Sequence, residues 1–394
     1  MRLAESVRVA LEALRTNKLR SALTMLGVVI GVMSVVVLVA IGSGARTEVT
    51  AGVESLGSNI LFVAPGEFSV GSAPSVSRLT LDDARRVGDA IGDPRRVAVT
   101  VSSGEVARAG ARRMNVNLNG TNEAIPFVFD RELQRGTFLD AGDVDVRRRV
   151  AVLGSRVAGS LFPDRDPIGK FVQIGGVRFR VIGVLTEVGS TLGLDRDNFV
   201  YVPVTAAQRL FGLSRIDAIA VRAASAGDIR TEQRLIRDTV TRAHPEQNYE
   251  VLTQQDILGV LGQVLSILTI VLASIAGISL LVGGVGVMNI MLVSVSERTR
   301  EIGLRKAVGA RTRDVLRQFL LEAVALTVTG GLAGILLGSA GALGVARWSP
   351  VPAQITVWSV ALAFGVSVGI GVFFGVWPAR KAARMQPIVA LRYE

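Results

Sequence analysis

The chain has 394 residues, 49% of them hydrophobic, with 43 glycines, no cysteine and a formal net charge of +11. The missing cysteine excludes a disulfide framework, a lipid-anchored cysteine and a thiolate metal site. The positive charge points at first to nucleic acid, but residues 46–256 carry 27 basic and 26 acidic groups, and the surplus gathers in segments 1–20, 297–322 and 380–394. Each of these adjoins a long uncharged run, a pattern that belongs to membrane proteins and leaves no nucleic-acid partner.

Residues 2–20 place Leu3, Val7, Ala10, Leu11 and Leu14 at helical spacing, with Arg2, Arg8, Arg15 and Lys18 off that stripe. The spacing predicts an amphipathic helix lying on the cytoplasmic face of the membrane; a plain juxtamembrane leader is the alternative. Four runs then carry no charge: 21–45, 257–296, 323–346 and 348–379, of 25, 40, 24 and 32 residues. A hydrocarbon core of ~30 Å needs about 20 apolar helical residues, so each run spans the bilayer. The first run is longer than a signal-peptide core of about 7–15 residues and reads as an uncleaved anchor.

Between the first and second crossings, residues 46–256 form an outer domain. "NILFVAP" (59–65) reads as a strand, "TLDDARRVGDAI" (80–91) as a helix opened by Thr80, and "RRVAVTVSS" (95–103) as a strand. The order recurs in "DAIAVRA" (217–223), a helix over 226–243 and "YEVLT" (249–253). Two βαβ units interrupted by an insertion predict a split, porter-like part (58–109 and 215–253) around a β-rich subdomain (110–214). The fold class is thus an α-helical membrane protein of four crossings with a large α+β extracytoplasmic domain.

The 40-residue run 257–296 would reach ~60 Å as one helix, about twice the hydrocarbon thickness. Either it is a single rod standing proud of the membrane, or it breaks at Gly283–Gly284. Small-xxx-small spacing at Gly27 and Gly31, and at Gly330, Gly334 and Gly338, lets helix backbones approach closely in lipid. Gly365, Gly369, Gly371 and Gly375 follow the same pattern in the fourth crossing.

Catalytic chemistry is not signalled. His244 is the sole histidine, "GVSVG" (365–369) lies inside a crossing, and "DRDPIGKF" has Asp164 where a phosphate-binding loop begins with glycine. No catalytic or metal residue is expected.

Segment 297–322 holds eleven charged residues, and charge at mid-bilayer costs about 2.5–3.5 kcal/mol per group, so it is aqueous. Lys/Arg bias places it inside, together with both termini (1–20 and the tail 380–394). "ERTREIGLRKAV" predicts a short helix with Ile302, Leu304 and Val308 among its charges, Gly309 a left-handed cap, and Thr312 and Asp314 a second helix. A turned, exposed helix suits a groove on a partner protein; a basic hairpin held by anionic lipid headgroups is the alternative.

"GGVGVMNIMLVSVSERTREIGLRKAVGARTRDVLRQFLLEA" resembles the signature of MacB/FtsX-type ABC transporter permeases. "LRTNKLRSALTMLGVVIGVMSVV", "LGSNILFVAPG", "VAVLGSRVAGSLFPDRDPIGKFVQIGGVRFRVIGVL" and "WPARKAARMQPIVALRYE" extend the resemblance over most of the chain. The resemblance implies an export permease of the plasma (inner) membrane, a homodimer of such chains working with an ABC ATPase subunit and an extracytoplasmic adaptor. ATP and Mg would be bound by the ATPase, here expected as a separate protein, with no cofactor in this chain. The coupling segment held by that ATPase would comprise Arg298, Glu301, Ile302, Leu304, Arg305, Lys306, Val308 and Gly309, and nucleotide-driven motion would reach the outer domain through long helices. The same architecture also serves FtsX-like regulators of cell-wall hydrolases and lipoprotein-releasing permeases.

Overall fold

The computed structural model describes residues 18–391 apart from 55, 56, 58, 73, 74, 192, 193 and 350. Most of the helix expected over 2–20 lies outside the described residues. The chain divides into two compact units, Glu48–Val264 and Met1–Thr47 with Leu265–Glu394.

In chain order the elements are helix α1 (Lys18–Glu54), strand β1 (Ile60–Pro65), α2 (Leu81–Ile91), β2 (Val97–Ala109), β3 (Arg112–Thr121), α3 (Ile125–Val128), β4 (Leu133–Gly136) and α4 (Ala141–Asp145). There follow β5 (Val150–Leu153), α5 (Ser155–Leu161), β6 (Phe171–Ile174), β7 (Val177–Leu185), and the two-residue strands β8 (Ser190–Thr191) and β9 (Leu194–Asp195). Next come β10 (Phe199–Pro203), α6 (Val204–Phe211), β11 (Ala218–Arg222), α7 (Ile229–Ala243) and β12 (Tyr249–Thr253). The remainder is helical: α8 (Gln254–Glu297), α9 (Thr299–Ala307), α10 (Thr312–Trp348), α11 (Val357–Ala383) and α12 (Pro387–Leu391).

In the unit Glu48–Val264, ten strands share one sheet in the order β12-β1-β11-β2-β3-β10-β5-β7-β4, with β6 bridging β2 and β7. The pairs β3–β10 and β5–β7 are parallel and the others antiparallel. Alternation assigns the faces: Leu61 and Val63 of β1, with Val97, Val99 and Val101 of β2, pack under α2 and α7, while Ile60 and Ala98 face the other way. Because both faces are covered, these strands are apolar nearly throughout. Farther along the sheet, Leu118, Val172, Val181 and Val200 pack with Val157 and Leu161 of α5 and Ala207 of α6. Short helices α3 to α6 lie among the strands of 110–214. They are only four to eight residues long, too short to show a helical period in sequence.

Helix α2 begins with a capping box in which Thr80 Oγ1 accepts from Asp83 N and the Asp83 carboxylate accepts from Thr80 N. The same carboxylate meets His244 Nε2 at 2.8 Å, joining the start of α2 to the residue that closes α7. The lone histidine is thus a structural tie, its ring 5.6 Å from that of Tyr249. A buried ion pair, Arg96–Glu232 at 2.8 Å, makes a second link to α7.

In the other unit, α1, α8, α10 and α11 are long and apolar enough to cross a membrane. Two differ from expectation at their ends, and α8 is the single rod rather than its broken alternative. Helix α1 runs past Ala45 to Glu54, carrying Arg46 and Glu48. Helix α8 is continuous through Gly283 and Gly284, so the break does not occur. Past Trp348, which ends α10, the fourth run is not helical until Val357, since prolines supply no N–H to continue a helix. This connection packs on α1 instead: Gln354 N donates to Ala40 O at 2.9 Å and Thr47 Oγ1 to Gln354 Oε1 at 3.3 Å.

Burial would raise the Asp83 carboxyl, but hydrogen bonds from His244 and Thr80 outweigh it and hold the group below its ordinary value of 3.8. A depressed folded-state value means the stabilisation is complete above the unfolded value and is lost as pH falls through the folded one. Asp83→Ala should lower stability by about 1–2 kcal/mol at neutral pH. In thermal melts, the gap from the parent protein should stay constant down to pH ~5 and close below pH ~4.

Candidate functional site

The charged segment between α8 and α10 is a folded corner. Helix α8 ends at Glu297, and Arg298 leaves helical geometry with φ −103° and ψ 18°. Thr299 Oγ1 donates to Val295 O and Ser296 O at 3.1 and 2.9 Å, fastening the turn to the helix before it. The Arg298 guanidinium reaches both carboxylate oxygens of the buried Glu322 at 3.3 Å, tying the corner to α10.

Helix α9 has an anchored side. Ile302 is buried in the cluster that holds Met291, Val295, Val315 and Phe319. Gly303 lies against the tail helix α12, where an added Cβ would sit 2.7 Å from Ala390 Cβ. Lys306 Nζ donates to the carbonyls of Ala383 and Met385, capping the end of α11. Arg305 donates to Gln318 Oε1 at 2.9 Å and pairs with Glu301.

The other side is free. Leu304 and Val308, one turn apart, are 59% and 83% exposed, and Glu301, Arg305 and Gly309 are exposed beside them. Gly309 has φ +103° and nothing within 4 Å of an added Cβ, so its role is conformational: its N–H donates to Lys306 O and the chain turns back. Asp314 then accepts from Arg311 N at 3.1 Å, opening α10. Of the eight residues singled out from sequence, Arg298, Ile302 and Lys306 are turned onto their own chain, and the rest remain accessible. The roles of Glu322 and α12 were not foreseen; the excess of cations over carboxylates in 298–306 was the available signal that a further acceptor must answer it.

Glycines bring the spanning helices together. An added Cβ on Gly27 would lie 2.9 Å from Gly283 Cα, and one on Gly31 would lie 2.5 Å from Leu280 Cδ2, so α1 meets α8 backbone to backbone. On its other side α1 meets α10, with Gly334 and Gly338 placing Cβ positions 2.8 Å from Val29 O and 3.0 Å from Val36 Cβ; Gly330 makes ordinary contact with Val28 at 3.5 Å. Gly371 and Gly375 admit Thr327 and Ala323 of α10, whereas Gly365 and Gly369 have nothing within 4 Å. No group of three or more candidate metal ligands exists among the described residues.

Four apolar helices around this corner, and a folded unit between the first two, describe a membrane protein with an extracytoplasmic domain and a permease-type helical region. Residues 21–239 match the MacB-like periplasmic core domain and residues 259–387 the FtsX-like permease C-terminal. The chain belongs to the MacB-like family. It is 39% identical over 397 residues to the macrolide export ATP-binding/permease protein MacB of Azoarcus sp. (strain BH72), covering 100% of this chain and 60% of that protein. It is 41% identical over 401 residues to the pyoverdine export ATP-binding/permease protein PvdT of Pseudomonas syringae pv. tomato, again 100% and 60% of the two. The chain therefore spans about 60% of the length of these curated relatives. The periplasmic region of MacB from Actinobacillus actinomycetemcomitans is similar over 53% of this chain and 95% of that one, with TM-score 0.47 and 22% identity.

The glycine geometry separates two substitutions of equal size. Gly334→Val should lower the melting temperature in detergent, at a cost of about 1–3 kcal/mol from overpacking. Gly365→Val, where the added atoms meet open space, should leave it within about 0.5 kcal/mol of the parent.

Proposed function

We propose that this chain is the permease part of an ABC-type export system and that α9 is the surface by which an ATPase drives it. The supporting observation is the division of α9 into an anchored and a free side. A partner gripping Leu304 and Val308 would move Ile302, Lys306 and the Arg298–Glu322 pair with it, and hence the ends of α8, α10 and α11 together. The sequence has no G-x-x-x-x-G-K-[ST] stretch, so ATP and Mg are assigned to an ATPase outside these 394 residues.

Helix α8 would carry the motion outward. Its 44 uninterrupted residues correspond to ~66 Å at 1.5 Å per residue. At its start, Asp256 accepts from Thr253 N at 2.8 Å and from Gln233 Nε2 at 3.4 Å, while Gln254 Nε2 donates to Val53 O at 2.9 Å. A push on the helix would thus reach α7 and the end of α1 without slack. The strand order β12-β1-β11-β2, with α2 and α7 on one face, supports a split βαβ, porter-like part. The strands from β3 to β10 then read as the insertion, which continues the same sheet.

In this reading the protein sits in the plasma (inner) membrane with both termini and α9 inside and residues 46–256 outside, as the charge bias favours. Two copies would act together, with an adaptor at the outer domain. The relatives' names describe export of macrolides and pyoverdine, and this chain is read as an exporter of a small organic molecule of that kind.

Leu304→Asp with Val308→Asp should reduce co-purification of the ATPase by about tenfold or more, since two central apolar contacts are lost, while membrane insertion is unchanged. Undiminished capture would count against the docking role. Because the chain has no cysteine, single cysteines at Arg300 and Gln173 allow a clean test of sidedness. A membrane-impermeant thiol reagent should label Gln173→Cys on intact cells and Arg300→Cys only after lysis; the reverse pattern would sink the orientation.

A further inference from the structure

Residues 109–112 at the β2–β3 turn, residues 161–165 at the end of α5, and Phe171 and Arg178 enclose a groove of about 700 Å³ in the unit Glu48–Val264. That size suits a small organic ligand. Leu161 is buried and Phe162 half-buried, giving an apolar floor, and Phe171 adds an aromatic wall that is 52% exposed.

The charge lining it is one-sided: Arg112, Arg165, Lys170 and Arg178 against Asp164 alone. Asp164 reaches Arg112 at only 3.6 Å and is itself largely exposed. Among the described residues, Arg165, Lys170 and Arg178 have no side-chain hydrogen bond or ion pair. Elsewhere in the same unit Arg96, Arg148, Arg156 and Arg222 each hold a carboxylate. Other arginines described in this unit, Arg108, Arg113 and Arg237 among them, also lack an ion pair, but here four cations share one concavity, where their potentials add. The Arg178 guanidinium stacks 4.9 Å from the Phe171 ring centroid. Stacking holds the guanidinium flat and leaves its N–H edge free for a bidentate acceptor.

We propose that this groove binds an anionic amphiphile: a phosphate or carboxylate head on the cations, with an apolar body over Leu161, Phe162 and Phe171. Inorganic anions would use only half of the site, and neutral apolar molecules would leave the cations unpaired. The same chemistry is offered by an anionic lipid and by a free alkyl phosphate. The site stands whether or not the export reading does, because its test does not involve ATPase or transport.

The full chain in phosphatidylcholine nanodiscs is titrated calorimetrically with hexyl phosphate, hexanol and inorganic phosphate. Saturable binding of hexyl phosphate is expected, weakening with salt, with no saturable binding of hexanol. K170E/R178E should weaken it about tenfold or more as two charge-assisted contacts are lost. Arg237→Glu, an exposed arginine on α7, should leave it unchanged. Phe171→Ala should weaken hexyl phosphate and not inorganic phosphate. Phosphatidylglycerol nanodiscs distinguish the sources: competition with hexyl phosphate identifies lipid headgroups as occupants, and its absence identifies a soluble ligand. The proposal is overturned if hexyl phosphate does not saturate, if inorganic phosphate binds equally well, or if K170E/R178E binds like the parent.

Discussion

A chain that crosses a bilayer cannot leave charge in the hydrocarbon, and the short aqueous corner between α8 and α10 is arranged around that constraint. Two of its cations are satisfied by the helices they join. Arg298 is answered by Glu322 on α10, and Lys306 by two carbonyls at the end of α11. These ties, with Ile302 as the apolar pin, make one piece of a helix that would otherwise be a loose connector. The apolar residues left over, Leu304 and Val308, then stand on a rigid base. An exposed apolar pair on a firm support suits the proposed contact, since the same pair on a floppy loop would lose its ordering entropy on binding.

Much of this was legible from residue order because the largest effects are also the most local. Uncharged runs of more than 20 residues revealed four spanning helices. Thr80 with Asp83 and the left-handed Gly309 behaved as their local chemistry requires. What could not be read was which surface each element would meet. Glycine spacing is alike in Gly334 and Gly338 and in Gly365 and Gly369, yet the first pair meets α1 and the second meets nothing within 4 Å. Gly283 and Gly284 raised the alternative of a break, and their packing against Gly27 and Phe374 shows a contact instead. Glu322 looked like the last charge of a soluble segment, and its burial depends on Arg298, 24 residues away in sequence. The tail helix α12 carries no signal of its own and is visible only through Gly303 and Lys306.

The outer unit shows the same division between local and long-range information. Short apolar runs marked β1, β2, β11 and β12, and their order follows from pairings that no local pattern encodes. The long β2 strand pairs with β11 over its first part and with β3 along most of its length, so both halves of the unit share one sheet. Helices α2 and α7 cover one stretch of it and α5 another, and α6 contributes Val204 to the first core and Ala207 to the second.

The meeting of Gly27 with Gly283 has a mechanical corollary. Two backbones in contact have no side chains to swing aside, and Gly31 receiving Leu280 sets a second tooth one turn away. Sliding α8 along α1 by less than a turn would carry the Leu280 side chain out of the notch at Gly31 and against the α1 backbone. The two helices are therefore meshed like a rack and pinion held at one notch: axial displacement must take them as a couple, or advance by a whole turn.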